Sequence, residues 1–360
     1  MIAHDDLKVN RICYKFIEKE IQALFSTNRI ENLYAYKRET EKSFAKYAGS
    51  EYAYFVDSGT TTFYLALELA NIGEGDEVIV PILSWPTVIA AVLSKKSTPK
   101  FIDIKEDCTL DETKIIITPK TKCIIPVHMY GHAASVIKIK EILKPNMTII
   151  EDCCQAHGTR IHEKMVGSFG EYGAFSFDPY KTISSLGTGG ALTYKKKEDI
   201  ERIREMIEIE KDNPLVLKLN RTPAGMSYTD MATLKVRLKL AQLIEKKKIA
   251  CVEQYEKRLG DTPVCLIKDP KDVISVRQNY IIYALKRDML IKFLIEEGII
   301  CKEPYLSINK MPLFEKYTKD QQFPNAERYC KEAIILPLFS LMEPKEVDVV
   351  CDKIIEFYKK

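Results

Sequence analysis

The sequence of 360 residues predicts an α/β protein of two domains, because strand-like apolar runs alternate with helix-like ones from about residue 50 onward. Three stretches carry that prediction. EYAYFVDSGTTTFYLALELANIG passes from a strand through a small hydroxylic turn into a helix rich in Leu and Ala. MTIIEDCCQAHG is an apolar strand that stops on Glu151 and Asp152. GAFSFDPYKTISSLGTGGAL, residues 173–192, is a pair of β-rich runs joined through Lys181 and a glycine-rich return. The length exceeds what a single core usually organises. The expected division is 1–235, two helices and a large domain, and 236–360, a linking helix and a smaller α/β domain.

Taken in order, residues 5–48 are expected to be helical. Leu7, Ile12, Phe16, Ile17, Ile21, Leu24 and Phe25 recur at roughly helical spacing, with Asp5 and Asp6 as candidate caps. ENLYAYKRETEKSFAKYAG forms a second helix that stops at Gly49. Next, a strand at Tyr54–Val56 leads into Ser58-Gly59-Thr60-Thr61 and a helix, an arrangement that aims free N–H groups and the positive helix end at an anion. The same residues also suit a plain helix cap. A strand at Glu77–Pro81, a turn with Trp85 and Pro86, a helix to about Leu93 and a strand at Lys100–Ile104 continue the alternation. Trp85 is either an apolar plug or an aromatic plate for a flat heterocycle.

A polar connection, residues 105–122, precedes the buried run TKCIIPVHMYGH. His128 and His132 lack a converging ligand set, so no metal centre is expected and both are assigned local hydrogen bonds. The strand ending at Asp152 places a carboxylate at the strand's carboxyl end, where open α/β sheets bind ligands; an Asp there also commonly opens a turn. Residues 194–216 are charged and helical, Pro214–Tyr228 irregular, and 232–260 one long helix. A strand at Tyr280–Leu285, a helix at Asp288–Gly298, a strand at Ile299–Glu303 and helices near 325–334 and 343–358 complete the chain.

Composition removes several classes. Hydrophobic residues make up 46% and charged ones 29%, with a net charge of +3 and interspersed signs, as in soluble globular proteins. No basic block, RNP-like motif or zinc-finger spacing points to nucleic acid. The ten cysteines include no C-x-x-C pair, which suggests reduced thiols and a cytoplasmic location. No signal-peptide-like start or apolar run of about 18 residues points to a membrane.

Together, SGTTTFYLAL, GDEVIVP, TKCIIPVHMYG, EDCCQAHG, VGSFGEYGAFSF, GTGGAL and LPLF resemble the DegT/DnrJ/EryC1/StrS family of sugar aminotransferases, dependent on pyridoxal 5'-phosphate (PLP), from about residue 10 to the end. The resemblance implies the PLP-dependent transferase fold type I: a large domain with a mostly parallel seven-stranded sheet flanked by helices, and a smaller C-terminal α/β domain. It implies that Lys181 is the catalytic Schiff-base lysine and that Asp152 pairs with the pyridine nitrogen. Gln155 would meet the phenolic oxygen and Trp85 would stack on the ring, with Gly59, Thr60, Thr61 and Ser176 around the phosphate. The activity implied is transfer of an amino group from an amino acid, L-glutamate, to a nucleotide-linked 3- or 4-keto-deoxysugar, in amino-sugar biosynthesis for a surface polysaccharide or glycosylated product. A homodimer with sites between subunits is implied as well.

The chemistry agrees with those roles. A lysine with an ordinary pKa of about 10.4 must be depressed to act as nucleophile and base, and burial beside a cationic ring does so. A carboxylate at the ring nitrogen keeps the ring electron-accepting. The chain also departs from the family pattern. The loop after Lys181 is one residue longer, as in some 3-ketosugar aminotransferases, and Thr188 replaces an acidic residue. Ser227 in GMSYTDM stands where a residue usually reaches the neighbouring subunit's phosphate, and PYL (Pro304 to Leu306) lacks the family's histidine. Rival readings are another fold-type-I enzyme, an aldolase or cysteine desulfurase, and a non-catalytic binding protein.

Overall fold

The structure, a computed structural model, describes residues 8–27, 29–207 and 224–359. Helices α1 (Lys8–Phe25) and α2 (Ile30–Ala48) open it, and α2 stops at Gly49 in the left-handed conformation (φ 67°). The proposed caps Asp5 and Asp6 lie outside the described residues. The apolar positions of α1 split into two stripes. Val9, Cys13 and Ile17 are buried, whereas Ile12 and Phe16 are 63% and 66% exposed. Phe44 anchors α2 by edge-on contacts with Phe55, Phe175 and Phe177.

The alternating region comprises β1 (Tyr52–Val56), α3 (Gly59–Leu69), β2 (Glu77–Pro81), α4 (Pro86–Ser94), β3 (Thr98–Ile102), β4 (Thr121–Ile124), α5 (Val136–Ile142) and β5 (Thr148–Asp152). A small hairpin, β6 (Arg160–Ile161) with β7 (Lys164–Met165), precedes β8 (Tyr172–Ser176), β9 (Gly190–Tyr194) and α6 (Asp199–Ile207). The expected helical continuation to residue 216 and most of the irregular piece after it lie outside the described residues. Seven strands form one sheet in the order β1-β9-β8-β5-β4-β2-β3. β3, β2, β4, β5 and β8 run parallel, and β9 is antiparallel to both of its neighbours. Both faces are covered. Tyr54, Val56, Val78 and Val80 pack with α3 and α4. Ala53, Phe55 and Ile79, pointing the other way, pack with α1 and α2.

Helices α7 (Tyr228–Lys239) and α8 (Ala241–Leu259) replace the single long helix expected over 232–260. The chain turns at Leu240 (φ −102°, ψ 0°) with no Gly or Pro to signal it, because the apolar pattern runs straight through the break. Ala241 and Ile244 of α8 still pack in the core beneath α1 and α2. Cys251, Val252, Tyr255 and Leu259 pack in a separate C-terminal core. That core holds β10 (Cys265–Leu266), β12 (Tyr280–Tyr283) and β13 (Ala333–Leu336) as an antiparallel sheet, while β11 (Val273–Ile274) returns to pair with β6. Helices α9 (Arg287–Glu296) and α12 (Pro344–Lys359) complete it, whereas α10 (Glu315–Thr318) and α11 (Pro324–Glu332) pack against the core that also holds α3 and α4.

Of the boundaries that differ from the sequence reading, three have a local cause. β3 ends before Asp103 because that carboxylate accepts the Asn325 and Ala326 N–H groups, capping the first turn of α11. The expected strand Ile299–Glu303 is reduced to one bridge, Lys302 with Ile335. The expected helix to residue 334 ends at Glu332, since Ala333–Leu336 is a short apolar run that pairs with β12.

The carboxyl edge of the large sheet is braced by Glu151. Its oxygens accept the N–H groups of Gly167 (2.9 Å), Phe169 (2.7 Å) and Gly170 (2.7 Å), and it meets His128 Nε2 at 3.1 Å. Because His128 Nδ1 accepts the Ala134 N–H, Nε2 carries the proton and donates. His132 Nδ1 meets Asp269 Oδ1 at 2.8 Å, so both histidines serve as local hydrogen-bonding groups. His128, Glu151 and Cys153 bring ligand-type atoms within 4.8 Å of one another. The carboxylate is already saturated, however, and burial holds the Cys153 thiol well above its ordinary pKa.

Burial pushes the pKa of Glu151 upward, but His128 and the backbone donors outweigh it, leaving the carboxyl below its ordinary 4.5. A depressed acid contributes stability above pH 4.5 that is lost as pH falls through the folded-state value. Glu151→Gln is expected to lose roughly 1–3 kcal/mol at pH 7. Denaturant titrations should also show a shallower decline in stability below about pH 4.5 than for the wild type.

Candidate active site

A cavity of about 470 Å³ opens where the parallel strands end, bounded on one side by α3 and the β8–β9 connection and on the other by residues 278–305. Of the residues singled out in the sequence, Gly59, Thr60, Trp85, Asp152, Gln155, Ser176 and Lys181 line it. Thr61 does not. Its hydroxyl donates to Asp57 Oδ1 (2.5 Å) and its N–H bonds Ser58 Oγ (3.3 Å), so it stiffens the cap instead of facing the cavity.

Ser58 is the N-cap of α3, which leaves the first-turn N–H groups of Gly59 and Thr60 without intrahelical acceptors at the cavity wall. Two glycines make this approach possible. A Cβ on Gly59 would lie 2.8 Å from Ser176 Cβ and 3.1 Å from Cys154 Sγ; one on Gly190 would lie 2.5 Å from the Ser58 carbonyl. The positive end of α3 therefore sits directly against Ser176.

Lys181 lies in the connection of residues 177–189 between β8 and β9. The base of that loop is closed by Phe177 N–H to Gly189 O and Ser185 N–H to Phe177 O, both 2.8 Å. Asp178 organises its tip. Its side chain accepts the Tyr180 N–H (3.0 Å) and its carbonyl accepts the Lys181 N–H (2.9 Å). Lys181 is half-buried, not enclosed, because one side of it faces the open cavity. Its ammonium forms no hydrogen bond or ion pair with any described residue.

Asp152 ends β5, is buried, and accepts the Cys154 N–H at 3.0 Å. Burial raises its pKa above the ordinary 3.8 despite that bond and the nearby charge of Lys181. Gln155 is fixed through Oε1, which accepts the Tyr130 N–H (3.1 Å), so its N–H₂ end remains to donate. Tyr130 holds that N–H in place from a left-handed conformation (φ 57°). Trp85 is half exposed and stands nearly perpendicular to Tyr305, centroids 5.3 Å apart, while Tyr305 stacks on Tyr130.

Several cavity residues escaped sequence reasoning, among them Gln278, Asn279 and Lys302. Their presence depends on a long-range contact that no local pattern signals. Gly131 (φ 94°) packs so tightly on the 276–277 backbone that a Cβ would lie 2.4 Å from the Val276 carbonyl. Thr159 Oγ1 bridges the two segments, donating to Gly131 O (2.8 Å) and accepting the Val276 N–H (3.0 Å). Ser227, suggested as a partner-subunit contact, caps α7 and donates to Asp230 Oδ2 (2.6 Å); Asp230 Oδ1 in turn holds the Gly187 N–H of the lysine loop (2.7 Å).

These residues fit PLP. A buried carboxyl that forms no ion pair suits a pyridinium N–H, free helix N–H groups suit a phosphate, and an unengaged lysine suits an aldehyde carbon. The uncompensated acid also has a measurable consequence. An acid whose folded pKa is raised loses stability as pH rises through that value. Asp152→Asn apoprotein should therefore be more stable than wild-type apoprotein at pH 7. Thermal or chemical denaturation without cofactor should show the difference shrinking as pH falls toward 4.

GDP-perosamine synthase of Escherichia coli O157:H7 is 32% identical over 340 residues, covering 90% of each chain. A Geobacillus stearothermophilus protein named pleiotropic regulatory protein is 30% identical over 337 residues, with the same coverage. The S. venezuelae protein DesV, solved in complex with a ketimine intermediate, superposes with a TM-score of 0.91 at 26% identity, over 100% of this chain and 99% of that one. Residues 12–355 match the pattern of the DegT/DnrJ/EryC1/StrS aminotransferase family, and the chain belongs to that family.

Proposed function

We propose that this PLP-dependent sugar aminotransferase takes its amino group from L-glutamate and delivers it to a nucleotide-linked keto-deoxysugar, with the keto group at C3 or C4. One observation carries the reading. Lys181 and Asp152, opposite in charge and both facing one cavity, form no ion pair with each other, which leaves room for a ligand that engages both. When bound, PLP supplies an electron sink for the carbon that gains or loses the amino group.

The protein's own groups do the rest. The Lys181 amine holds the cofactor and, once released, carries a proton between the reacting carbons. The Asp152 carboxylate accepts the ring N–H and keeps that nitrogen protonated. Gln155 donates from its free N–H₂ to the phenolic oxygen, and Trp85 covers the ring. Gly59, Thr60 and the Ser176 hydroxyl receive the phosphate, with Thr61 supporting them through Asp57 and Ser58. Lys302, exposed on the cavity wall and without an ion pair among the described residues, suits the anionic groups of both substrates.

A desulfurase reading needs a reactive thiolate. The cysteine in the cavity, Cys154, is held well above its ordinary pKa by burial and by the neighbouring Asp152. A regulatory, non-catalytic role is favoured by one relative's name alone.

Two further parts of the proposal concern assembly and compartment. The exposed Ile12 and Phe16 on one face of α1, and on another face a groove of about 790 Å³ between α1 and Leu186 of the lysine loop, support a homodimer that covers α1. Ten free cysteines support a cytoplasmic setting. Among the described residues no helix is long and apolar enough to cross a membrane.

Mixing the purified holoenzyme with L-glutamate should convert the cofactor spectrum to that of its amino form, and a keto-sugar nucleotide should restore it. Lys181→Ala should lose the absorbance of lysine-bound cofactor and lower turnover by roughly 10³-fold. Normal transamination by that variant would refute the assignment, and a wild type inert to every amino acid would favour the regulatory reading. Ile12→Glu with Phe16→Glu should convert dimer to monomer in sedimentation equilibrium.

A further inference from the structure

We propose that Asp178 and Tyr305 form a specificity-determining pair that holds one ring hydroxyl of the sugar substrate between them; the assignment rests on the transaminase reading above. Both residues line the cavity, Asp178 from the lysine loop on one side and Tyr305 from the C-terminal wall on the other, and both are half-buried. Asp178 Oδ2 and the Tyr305 hydroxyl each keep accessible surface, and neither bonds any described residue. An open carboxylate oxygen and an open phenol on facing walls are an acceptor and a donor for what enters between them.

In both residues it is the side chain itself that is held. Asp178 Oδ1 accepts the Tyr180 N–H (3.0 Å), which fixes the carboxylate and leaves its second oxygen unused. The Tyr305 ring stacks on Tyr130 (centroids 5.8 Å apart, planes at 8°) and stands edge-on to Trp85 (5.3 Å, 84°). Trp85 is the residue assigned to cover the cofactor ring, so the phenol lies beside the place where the sugar must react. Burial, and after it the charge of Asp178, raises the pKa of the phenol, which therefore keeps its proton at neutral pH. The two groups are near enough for that charge to be felt, yet they form no hydrogen bond with each other. Side chains fixed in this way discriminate well, because neither can swing away to rescue an unmatched ligand.

The pair selects among the substrates' groups. The Asp178 charge repels the carboxylates of the amino-acid donor and the phosphates of the nucleotide, which Lys302 suits better. A carbonyl has no proton to give the carboxylate. A sugar hydroxyl can donate to Asp178 and accept from Tyr305 at once. The amine of L-glutamate and the N–H groups of the nucleotide base are the other donors present, and the experiment separates both from the sugar.

The test uses holoenzyme in its amino form and GDP- and dTDP-linked 3- and 4-keto-6-deoxyhexoses, together with analogues each lacking one further ring hydroxyl. The acceptor half-reaction is followed by the return of the cofactor spectrum. At one ring position the wild type should favour the hydroxylated sugar roughly 10- to 100-fold in kcat/KM. Asp178→Asn can keep the bond to the Tyr180 N–H while losing the open acceptor, and Tyr305→Phe keeps the ring packing while losing the donor. Each should reduce that preference to about threefold or less, by lowering kcat/KM on the hydroxylated sugar and not on the analogue. The loss in the L-glutamate half-reaction, which contains no sugar, should be at least about tenfold smaller. If one variant does not fold, the other decides. A wild type without preference at any ring position, a variant that retains the preference, an equal loss with L-glutamate, or a preference that follows the base would each overturn the proposal. A wild type that L-glutamate does not convert would instead overturn the transaminase reading beneath it.

Discussion

The site depends on two adjacent acids at the end of one strand, treated in opposite ways by their surroundings. Side chains alternate along β5, so Glu151 and Asp152 point to different faces. Glu151 meets three backbone N–H groups and a histidine, which together overcome its burial. Asp152 meets one backbone N–H, which does not. The first carboxylate spends its charge on holding the Gly167–Gly170 turn beneath β8. The second is buried at the cavity wall and forms no ion pair among the described residues. The contrast arises from sheet geometry and needs no unusual residue.

Much of this was legible in the sequence, for a physical reason. β5 and β8 are short, buried on both faces and stop on polar residues, so their apolar runs and their ends coincide. The Ser58 cap and the Gly190 approach are marked by residue types that few other environments require. Legibility failed where side-chain direction or distant packing decided the outcome. Thr61 belongs to the same hydroxylic turn as Thr60 but points toward Asp57, and nothing in its identity distinguishes the two. The break at Leu240 is hidden because both helices share one apolar rhythm. Ala333–Leu336 is too short for periodicity to separate strand from helix end.

The C-terminal wall was the least legible part of the site. Its residues enter the cavity through the Tyr130–Gly131 corner, which the sequence shows only as a glycine after a tyrosine. In the fold that corner has three duties: its N–H orients Gln155, its carbonyl holds Gln278, and Gly131 admits the 276–277 backbone. The left-handed conformation of Tyr130, unfavourable for a bulky residue, is offset by those contacts and by its ring stacking on Tyr305. Strain of this kind persists where surrounding structure over-determines it, and here it couples both walls of one cavity.

The same over-determination explains why the cavity does not close on itself. A cation and an anion facing a shared space would ordinarily draw together, since an ion pair partly offsets the cost of removing each charge from water. Asp152 cannot move, being part of β5 and tied to the Cys154 N–H. Lys181 is on a loop, but Asp178 fixes the loop's tip, Phe177 closes its base against Gly189, and Asp230 holds its far arm from α7. Each anchor is satisfied without the lysine's charge, so the ammonium is free to bond without the loop having to rearrange. A lysine held away from the Asp152 carboxylate by bonds that do not use its charge leaves a site whose electrostatic demand a ligand can meet. A flat cation joined to a reactive carbon and a phosphate, as proposed for this site, would meet it at three points at once.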